Sequence, residues 1–378
     1  MTRSVGLNRI AFVGGGSGGH VFPGIALAER ARERFPGCRS TFFSTPRRVE
    51  DHVFAGSVFE RRALPLSAPG RRVADWLRYS FAVARSTRTM RHVLRDGFDV
   101  VFGLGGYASL PGVLAARMEG LPVILLEQNR VAGRVNRMLA PLASAVSCSF
   151  AESSRRGARW KVTGNPIRRA VLDVLRAGAT EGKHVDGPRR RRTILVVGGS
   201  QGSHGINRIL LSALEGLSKW REWIHWIHVT GETDRDLVET TYQDLDWSAE
   251  VCAFSSDLPQ LMRKADLVIS RSGGTTLSEL AVLGVPAVLV PYPYHRDQHQ
   301  LLNARAYADA GAAVVVDEKD LDAVHLGSLF EEILVSPGRL RKMAESARGR
   351  GRPDAADLVL DLAVELNETC RTASVSFS

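Results

Sequence analysis

Short apolar runs alternate with longer stretches of helical periodicity along most of this chain. In the first half the runs lie at residues 10–13, 41–43, 59–64, 100–104, 123–126 and 145–148; in the second they lie at 193–197, 224–229, 251–254, 267–270, 287–290 and 313–316. Apolar runs of this length, each leading into a helical pattern, predict parallel strands with helices on both faces of a sheet. Residues 177–192 (AGATEGKHVDGPRRRR) interrupt the alternation: they are polar, contain glycine and proline and lack periodicity, so they read as a linker. After them the opening order of strand, glycine loop and helix returns. Two similar doubly wound domains are expected, over residues 1–168 and 193–352, joined by 169–192. A last helix is expected over 353–368, with Ala356, Leu358, Leu360, Leu362, Ala363 and Leu366 as its apolar stripe and a frayed tail after Asn367.

In sheets of this kind ligands bind outside the carboxyl ends of the strands, so the loops there carry the chemistry. Residues 14–24 read GGGSGGHVFPG and run into a helical pattern from Ile25. Glycines at a helix N-terminus bring backbone N–H groups close to a ligand, and an anion is the natural guest. Gly14, Gly16 and Gly19 satisfy GxGxxG, but the next strand ends in Ser44 and Thr45 with no acid for a ribose diol, and no GK[ST] ending follows. Residues 103–107 (GLGGY) and 127–129 (EQN) follow later strands in the same way. The second half offers 198–202 (GGSQG) and 271–279 (RSGGTTLSE). A helix beginning at Gly274 or Thr275 would aim N–H groups and two threonine hydroxyls at an anion. Glu279 lies one turn beyond Thr275, where a carboxylate can accept both hydroxyls of a ribose. Residues 297–300 (DQHQ) open a further helix, with Asp297 as its cap.

Composition changes the picture in two places. With 378 residues, 44% hydrophobic and 24% charged, the chain has room for two cores. Its net charge of +10 rests on arginine, since only six of the 50 basic residues are lysine, and only clustering of that charge is informative. Residues 61–95 hold nine arginines and a single acid, Asp75, interleaved with Val73, Trp76, Leu77, Tyr79, Phe81 and Val83 on a helix expected over 74–94. An apolar patch ringed by arginine suits an anionic bilayer surface; no nucleic-acid-binding motif accompanies it. Cys38, Cys148, Cys252 and Cys370 are too dispersed for a zinc site and read as reduced thiols. No signal peptide or membrane-spanning run is expected. The triplets Asp234-Arg-Asp236, Asp244-Leu-Asp246 and Asp320-Leu-Asp322 do not follow strands, so they read as surface charge and no metal is expected.

Assembled in order and spacing, GGxGGHxFPG, GGYxSxPG, EQN, GNPIR, GGSQG, RSGxxTxxE and the region of Gln300 resemble the MurG family of glycosyltransferases, from residue 14 to the last helix. Members of that family add N-acetylglucosamine to the lipid-linked muramyl-pentapeptide precursor of bacterial peptidoglycan. The resemblance implies an α/β GT-B fold, two doubly wound Rossmann-like parallel-sheet domains facing across a cleft, with the last helix completing the first domain. It implies UDP-N-acetylglucosamine as donor on the second domain. Gly274, Thr275, Thr276, Leu277, Ser278 and Glu279 would serve diphosphate and ribose, Ser255 the uracil, and Ser200 and Gln300 the phosphates and sugar, with Gln201 also in the substrate-binding set. Ser17, Gly18, Gly19, Asn129 and Arg168 are further donor contacts, and Tyr107 and Asn136 complete the substrate-binding set. The first domain would take the undecaprenyl-diphosphate-linked acceptor, with the arginine-ringed patch on the cytoplasmic face of the plasma membrane. No cofactor and no nucleic-acid partner is implied.

For the transfer itself His20 is the candidate base, because imidazole titrates near neutrality, and Glu127 is the alternative. The helix N-terminus at 273–276 would meet the charge on leaving UDP. Three positions depart from the family pattern: Leu126 where a histidine often precedes EQN, Val229 for a glutamine before Thr230, and Gly274 where alanine is common. None removes a group this chemistry needs. The same architecture also suits a transferase for another acceptor, a UDP-N-acetylglucosamine 2-epimerase, or a nucleotide-binding partner without turnover.

Overall fold

Two-sided burial explains why the strands read as unbroken apolar runs. In β1 (Arg9–Gly14), Ile10 and Phe12 enter one core while Ala11 and Val13 enter another on the opposite face. The computed structural model describes all residues except 1–5, 17, 47–49, 52–53, 55–56, 71, 155–156, 179–190, 200–201, 296 and 376–378. The chain divides into two units, Met1–Arg169 with Pro353–Ser378, and Ala170–Arg352.

In the first unit, β1 is followed by β2 (Arg39–Ser44), β3 (Glu60–Ala63), β4 (Val100–Gly105), β5 (Val123–Glu127), β6 (Ala145–Cys148) and β7 (Trp160–Val162). They form one parallel sheet in the order β3-β2-β1-β4-β5-β6-β7. Phe12 stacks between Phe42 at 4.5 Å and Phe102 at 5.3 Å, one aromatic from each central strand. On that face lie the helices Gly18–Arg34 and Ala355–Val375; on the other lie Val73–Leu94 and Ser109–Met118. The second unit carries β8 (Arg192–Val197), β9 (Ile224–Val229), β10 (Ala249–Cys252), β11 (Leu267–Ser270), β12 (Ala287–Leu289) and β13 (Ala313–Val315). They too are all parallel, in the order β10-β9-β8-β11-β12-β13.

Several boundaries differ from expectation. The first helix begins at Gly18, inside the glycine loop, with Pro23 within it, because burial of Val21 and Ile25 outweighs the poor helix propensity of glycine and proline. β10 ends at Cys252, leaving Phe254 67% exposed beyond it. β7 was not anticipated, since only Trp160 of its three residues is buried and the strand is a polar edge. β8 starts at Arg192, a residue assigned to the linker, whose guanidinium is paired with the buried Asp266. Residues 179–190 of that linker lie outside the described residues.

The last helix runs on to Val375 instead of fraying after Asn367. Ala356, Val359, Leu360 and Ala363 complete the core of Ile10 and Phe12, so Val359 takes the place expected for Leu358. Arg30 and Arg34 of the first helix bond Asp357 at 2.9 Å and Asp361 at 2.5 Å. Beyond the expected end, Arg371 Nη2 reaches Asp99 Oδ1 at 2.6 Å; Asp99 is buried and its other oxygen accepts from the Asn8 and Arg9 N–H groups. This bond joins the tail to the start of β1. All four cysteines are free thiols, and burial pushes Cys38 up to about 12, which makes it unreactive.

Arg371→Ala should destabilise the first unit by about 1 kcal/mol, the scale of one partly exposed charged hydrogen bond. Urea unfolding of wild type and variant measures it; identical midpoints would mean that the tail beyond Asn367 adds nothing.

Candidate active site

In each sheet the winding reverses once, between β1 and β4 in the first unit and between β8 and β11 in the second. Loops leaving two such strands run in opposite directions and open a crevice at the carboxyl edge. The glycine-rich stretches 14–19 and 103–106, and 198–202 and 271–274, occupy these two places.

In the first unit the loops after β1 and β4 are fastened by one hydroxyl. Ser109, fully buried, accepts from the Gly105 N–H at 3.0 Å and lies 2.8 and 3.1 Å from the carbonyls of Gly105 and Val13, which share its proton. His20 stands in the first turn of the helix Gly18–Arg34, half-buried. Its ring lies against Gly105: a Cβ there would come within 2.9 Å of His20 Cδ2 and 3.3 Å of Nε2, and Gly105 has φ +96°. Only glycine lets the imidazole take this place.

A residue beyond β5 reaches the same glycine, since Asn136 Nδ2 would lie 3.9 Å from a Gly105 Cβ. Glu127 is buried, and its Oε1 accepts from Asn129 N at 2.9 Å and Asn129 Nδ2 at 3.3 Å; Oε2 accepts from Gly133 N and Asn136 Nδ2, both at 2.9 Å. Burial raises its pKa, against the pull of these hydrogen bonds. A raised carboxylate suits acid–base work, yet both oxygens are committed to shaping the loop. Asn136 also donates to the Leu126 carbonyl at 2.9 Å, so the departure at Leu126 leaves this backbone contact intact. Tyr107 packs edge-on to Tyr79, whose hydroxyl bonds its carbonyl at 3.0 Å. Arg168 lies over the Phe22 ring at 4.7 Å, which brings it to the His20 helix. Gly18 and Gly19 form the opening of that helix, and Ser17 lies outside the described residues.

In the second unit a guanidinium does the fastening. Arg271, buried at the end of β11, donates to Ser203 Oγ at 3.1 Å, to the carbonyls of Val290 and Pro291 at 3.1 and 3.3 Å, and pairs with Glu318 at 2.6 Å. It therefore ties the loop after β8 to those after β11 and β12. The helix Gly274–Leu283 follows directly, with Gly273, which has no side chain to cap it, at its N-cap. The space where a Gly273 Cβ would sit is open. Thr275 and Thr276 are half-buried in its first turn, and Glu279 is buried one turn on. Ser278 bonds the Gly274 carbonyl at 2.8 Å. Leu277 is fully buried and its N–H donates to Gly273 O at 3.0 Å, so this expected contact residue serves the core and the helix.

Gln300 presents Oε1 to Tyr292 N at 2.9 Å, and its carbonyl accepts from Ser272 at 2.8 Å. Ser255 follows β10 and accepts from Asp257 N at 3.1 Å. Ser200 and Gln201 lie outside the described residues. The cap of the helix His299–Asp309 is Gln298, at φ +47°; Asp297 accepts from the His299 ring at 2.7 Å. His295, Asp297 and His299 offer ligand atoms within 4.8 Å of one another, but they sit at the positive end of that helix, which disfavours a cation. The Asp297–His299 bond and the packing of the His295 ring against His299 at 4.4 Å account for the grouping.

Sequence reasoning missed one network beneath this site. Asn207 donates to the Thr230 carbonyl at 2.9 Å and to Asp234 at 2.8 Å, and accepts from His228 at 3.1 Å; His228 also meets Tyr242 at 3.2 Å. Asp234, read as surface charge, is buried and holds His204 at 2.8 Å as well. A lone Asn or His on an apolar element gives no spacing signal, and Asp234 was hidden in a polar segment. Burial lowers the His228 pKa to about 3, with Asp234 pulling weakly the other way, so the ring is neutral.

Residues 10–148 match the glycosyltransferase family 28 N-terminal domain and residues 193–359 the glycosyltransferase family 28 C-terminal domain. A relative from Anaeromyxobacter sp. (strain Fw109-5), 40% identical and covering 95% of this chain and 93% of its own, is named UDP-N-acetylglucosamine--N-acetylmuramyl-(pentapeptide) pyrophosphoryl-undecaprenol N-acetylglucosamine transferase. A Thermodesulfovibrio yellowstonii relative of the same name is 34% identical over 95% of this chain and 98% of its own. Among solved structures, Acinetobacter baumannii MurG aligns with a TM-score of 0.75 at 29% identity, covering 95% of this chain and 99% of its own. A UDP-GlcNAc 2-epimerase from Neisseria meningitidis aligns at 0.65 with 18% identity, covering 94% and 100%, and at that identity shares the fold alone.

Because His228 binds its proton far less readily when folded than its unfolded value near 6.5, the second unit should lose stability as pH falls from about 6.5 toward 3, by roughly 1.4 kcal/mol per pH unit. Four of the six tryptophans lie in this unit, so urea unfolding followed by fluorescence at pH 7 and 5 reads it. His228→Gln should flatten the slope, and an unchanged slope would place the linkage elsewhere.

Proposed function

We propose how this chain works from the premise that it belongs to the MurG family within glycosyltransferase family 28. It is a GT-B hexosyltransferase that moves N-acetylglucosamine from UDP-N-acetylglucosamine to undecaprenyl-diphosphate-N-acetylmuramyl-pentapeptide in peptidoglycan synthesis. Two domains divide that work: 193–352, within the second unit, holds the donor, and 1–168 with the last helix, in the first unit, takes the acceptor.

One observation carries the donor assignment: the helix Gly274–Leu283 starts at Gly273, which brings no capping side chain of its own, beside open space, with Glu279 buried one turn behind. Its first N–H groups and the hydroxyls of Thr275 and Thr276 bind the diphosphate, and Glu279 binds the ribose. Ser255 lies by the uracil, and Gln300, Ser200 and Gln201 by the phosphates and sugar. In the first unit His20 removes the proton from the acceptor hydroxyl as its oxygen attacks the anomeric carbon, with inversion. The carbon–oxygen bond to UDP breaks, and the helix N-terminus stabilises the charge that appears on the diphosphate. Glu127 holds Asn129 and Asn136 in place around the imidazole. Gly18, Gly19, Ser17, Tyr107 and Arg168 supply further contacts.

The helix Val73–Leu94 supports a membrane-facing role. Val73, Trp76, Leu77 and Phe81 recur at helical spacing and are 78, 55, 59 and 77% exposed, with Arg72, Arg78, Arg85 and Arg88 exposed around them. Such a stripe seats its apolar side chains in the headgroup region while arginines meet anionic lipid on the cytoplasmic face. Among the described residues no helix is long and apolar enough to cross a membrane.

Transfer of labelled N-acetylglucosamine to a short-chain lipid acceptor in chelator tests the site. Glu279→Ala should raise the donor KM about ten- to a hundredfold, and His20→Ala should lower kcat about 10²- to 10⁴-fold. Full turnover by His20→Ala would remove it as the base. Separately, Trp76→Ser with Phe81→Ser should weaken sedimentation with anionic vesicles while leaving turnover on a water-soluble acceptor unchanged; equal sedimentation would refute the membrane face.

A further inference from the structure

The glycine loop after β1 faces a carboxylate of its own chain. Glu50 is fully buried, and its Oε1 accepts from the Gly16 N–H at 2.5 Å and from the Thr45 hydroxyl at 3.1 Å. Arg61 donates to its Oε2 at 3.3 Å and is itself held by Ser44 Oγ at 2.8 Å and the Thr45 carbonyl at 2.7 Å. The fit reaches Gly15 as well: at φ +142°, a Cβ on that residue would lie 2.5 Å from Glu50 Oε1. Gly15 in turn donates to the Gly105 carbonyl at 3.4 Å, and Gly105 is the residue on which the His20 ring rests.

We propose that Glu50 is a positioning residue for the transferase reaction: an internal anion that sets Gly15 and Gly16, and through them the start of the His20 helix and the seat of its imidazole at Gly105. Glycine at this loop first suggests a phosphate cradle. With a buried carboxylate on the Gly16 N–H, that group is not offered to a phosphate, and a second anion at the same place would meet Coulomb repulsion. The glycines serve a different need, letting backbone pass close to Glu50. Glu50 is fully buried while the Arg61 side chain is 16% exposed; an ion pair with a buried member contributes little net stability over apolar residues of the same volume, while leaving the buried charge unpaired is costly. Its use is in the single geometry it imposes, with both carboxylate oxygens and the guanidinium satisfied at once. Arg61 thereby has a local partner and does not belong with the exposed arginines of the membrane-facing helix.

This inference rests on His20 as the base, and the test separates the two. Glu50→Gln keeps the side-chain volume and an acceptor for Gly16 but removes the buried charge that faces Arg61 Nη2, leaving Arg61 its exposed partner Asp51 at 2.5 Å; Glu50→Ala removes the acceptor as well. Assayed as full-length protein beside His20→Ala, kcat should fall about tenfold for Glu50→Gln and about a hundredfold for Glu50→Ala. The KM for UDP-N-acetylglucosamine should stay within about twofold of wild type, since donor contacts lie mainly on the other unit. Glu50→Gln recovering part of the turnover lost in Glu50→Ala, at constant donor KM, supports the proposal. Wild-type kcat in Glu50→Gln, or a donor KM rising in step with the fall in kcat, overturns it. If His20→Ala retains full turnover, the base assignment fails, and the kcat and KM split of the Glu50 variants still decides whether Glu50 positions the loop.

Discussion

A parallel sheet buried on both faces confines polar chemistry to the ends of its strands. Along β1, β4 and β5 the apolar side chains alternate between two cores, and along β8 and β11 Ile194, Val196, Leu267 and Ile269 enter one core while Leu195 and Val268 are buried on the other face, so polar side chains find room mainly at the strand ends. What remains is the carboxyl edge, where strand ends leave backbone groups unpaired and loops must satisfy them. The order of strands then selects where along that edge a ligand fits, because only at the winding reversal do two neighbouring loops part. Both units of this chain place their glycine-rich loops at that point.

The two units solve the same fastening problem with different chemistry. Ser109 joins two loops through one small hydroxyl, which suits a place where backbone must approach backbone and leaves room for the His20 ring. Arg271 joins three loops through a planar cation whose donors reach Ser203, Val290 and Pro291 while Glu318 balances its charge. A guanidinium is apt there because its several donors lie in fixed directions and can bridge loops too far apart for a hydroxyl. The neutral His228 below, bonded at both nitrogens, holds Asn207, which in turn supports the Thr230 carbonyl. Support of this kind keeps a helix terminus aimed at one point, which transition-state charge stabilisation requires.

Much of this was legible in the residues. Apolar runs marked the strands to within a few positions, because two-sided burial leaves an unmistakable composition. The loops of functional interest followed from their place after those runs, and RSGGTTLSE announced both a helix start and the turn that carries Glu279. Errors gathered where tertiary contact overrides local preference: the helix that begins at Gly18 despite glycine and proline, the last helix drawn out to Val375 by Asp99, and β7, held at the sheet edge by one buried Trp160.

By itself, then, the order of residues determined the alternation of strands and helices, the repeat of two doubly wound units, the family and the transfer it performs. Those properties are written in local periodicity and in motifs whose residues stand near one another along the chain. Only the tertiary structure decided that Glu127 spends its oxygens on Asn129, Gly133 and Asn136, that Asp234 is buried, that Leu277 turns inward, and that Glu50 reaches back 34 residues to hold Gly16. The reason is physical: a hydrogen bond or an ion pair depends on distance in space, and sequence spacing carries no record of which distant carboxylate the fold will bring to a given N–H.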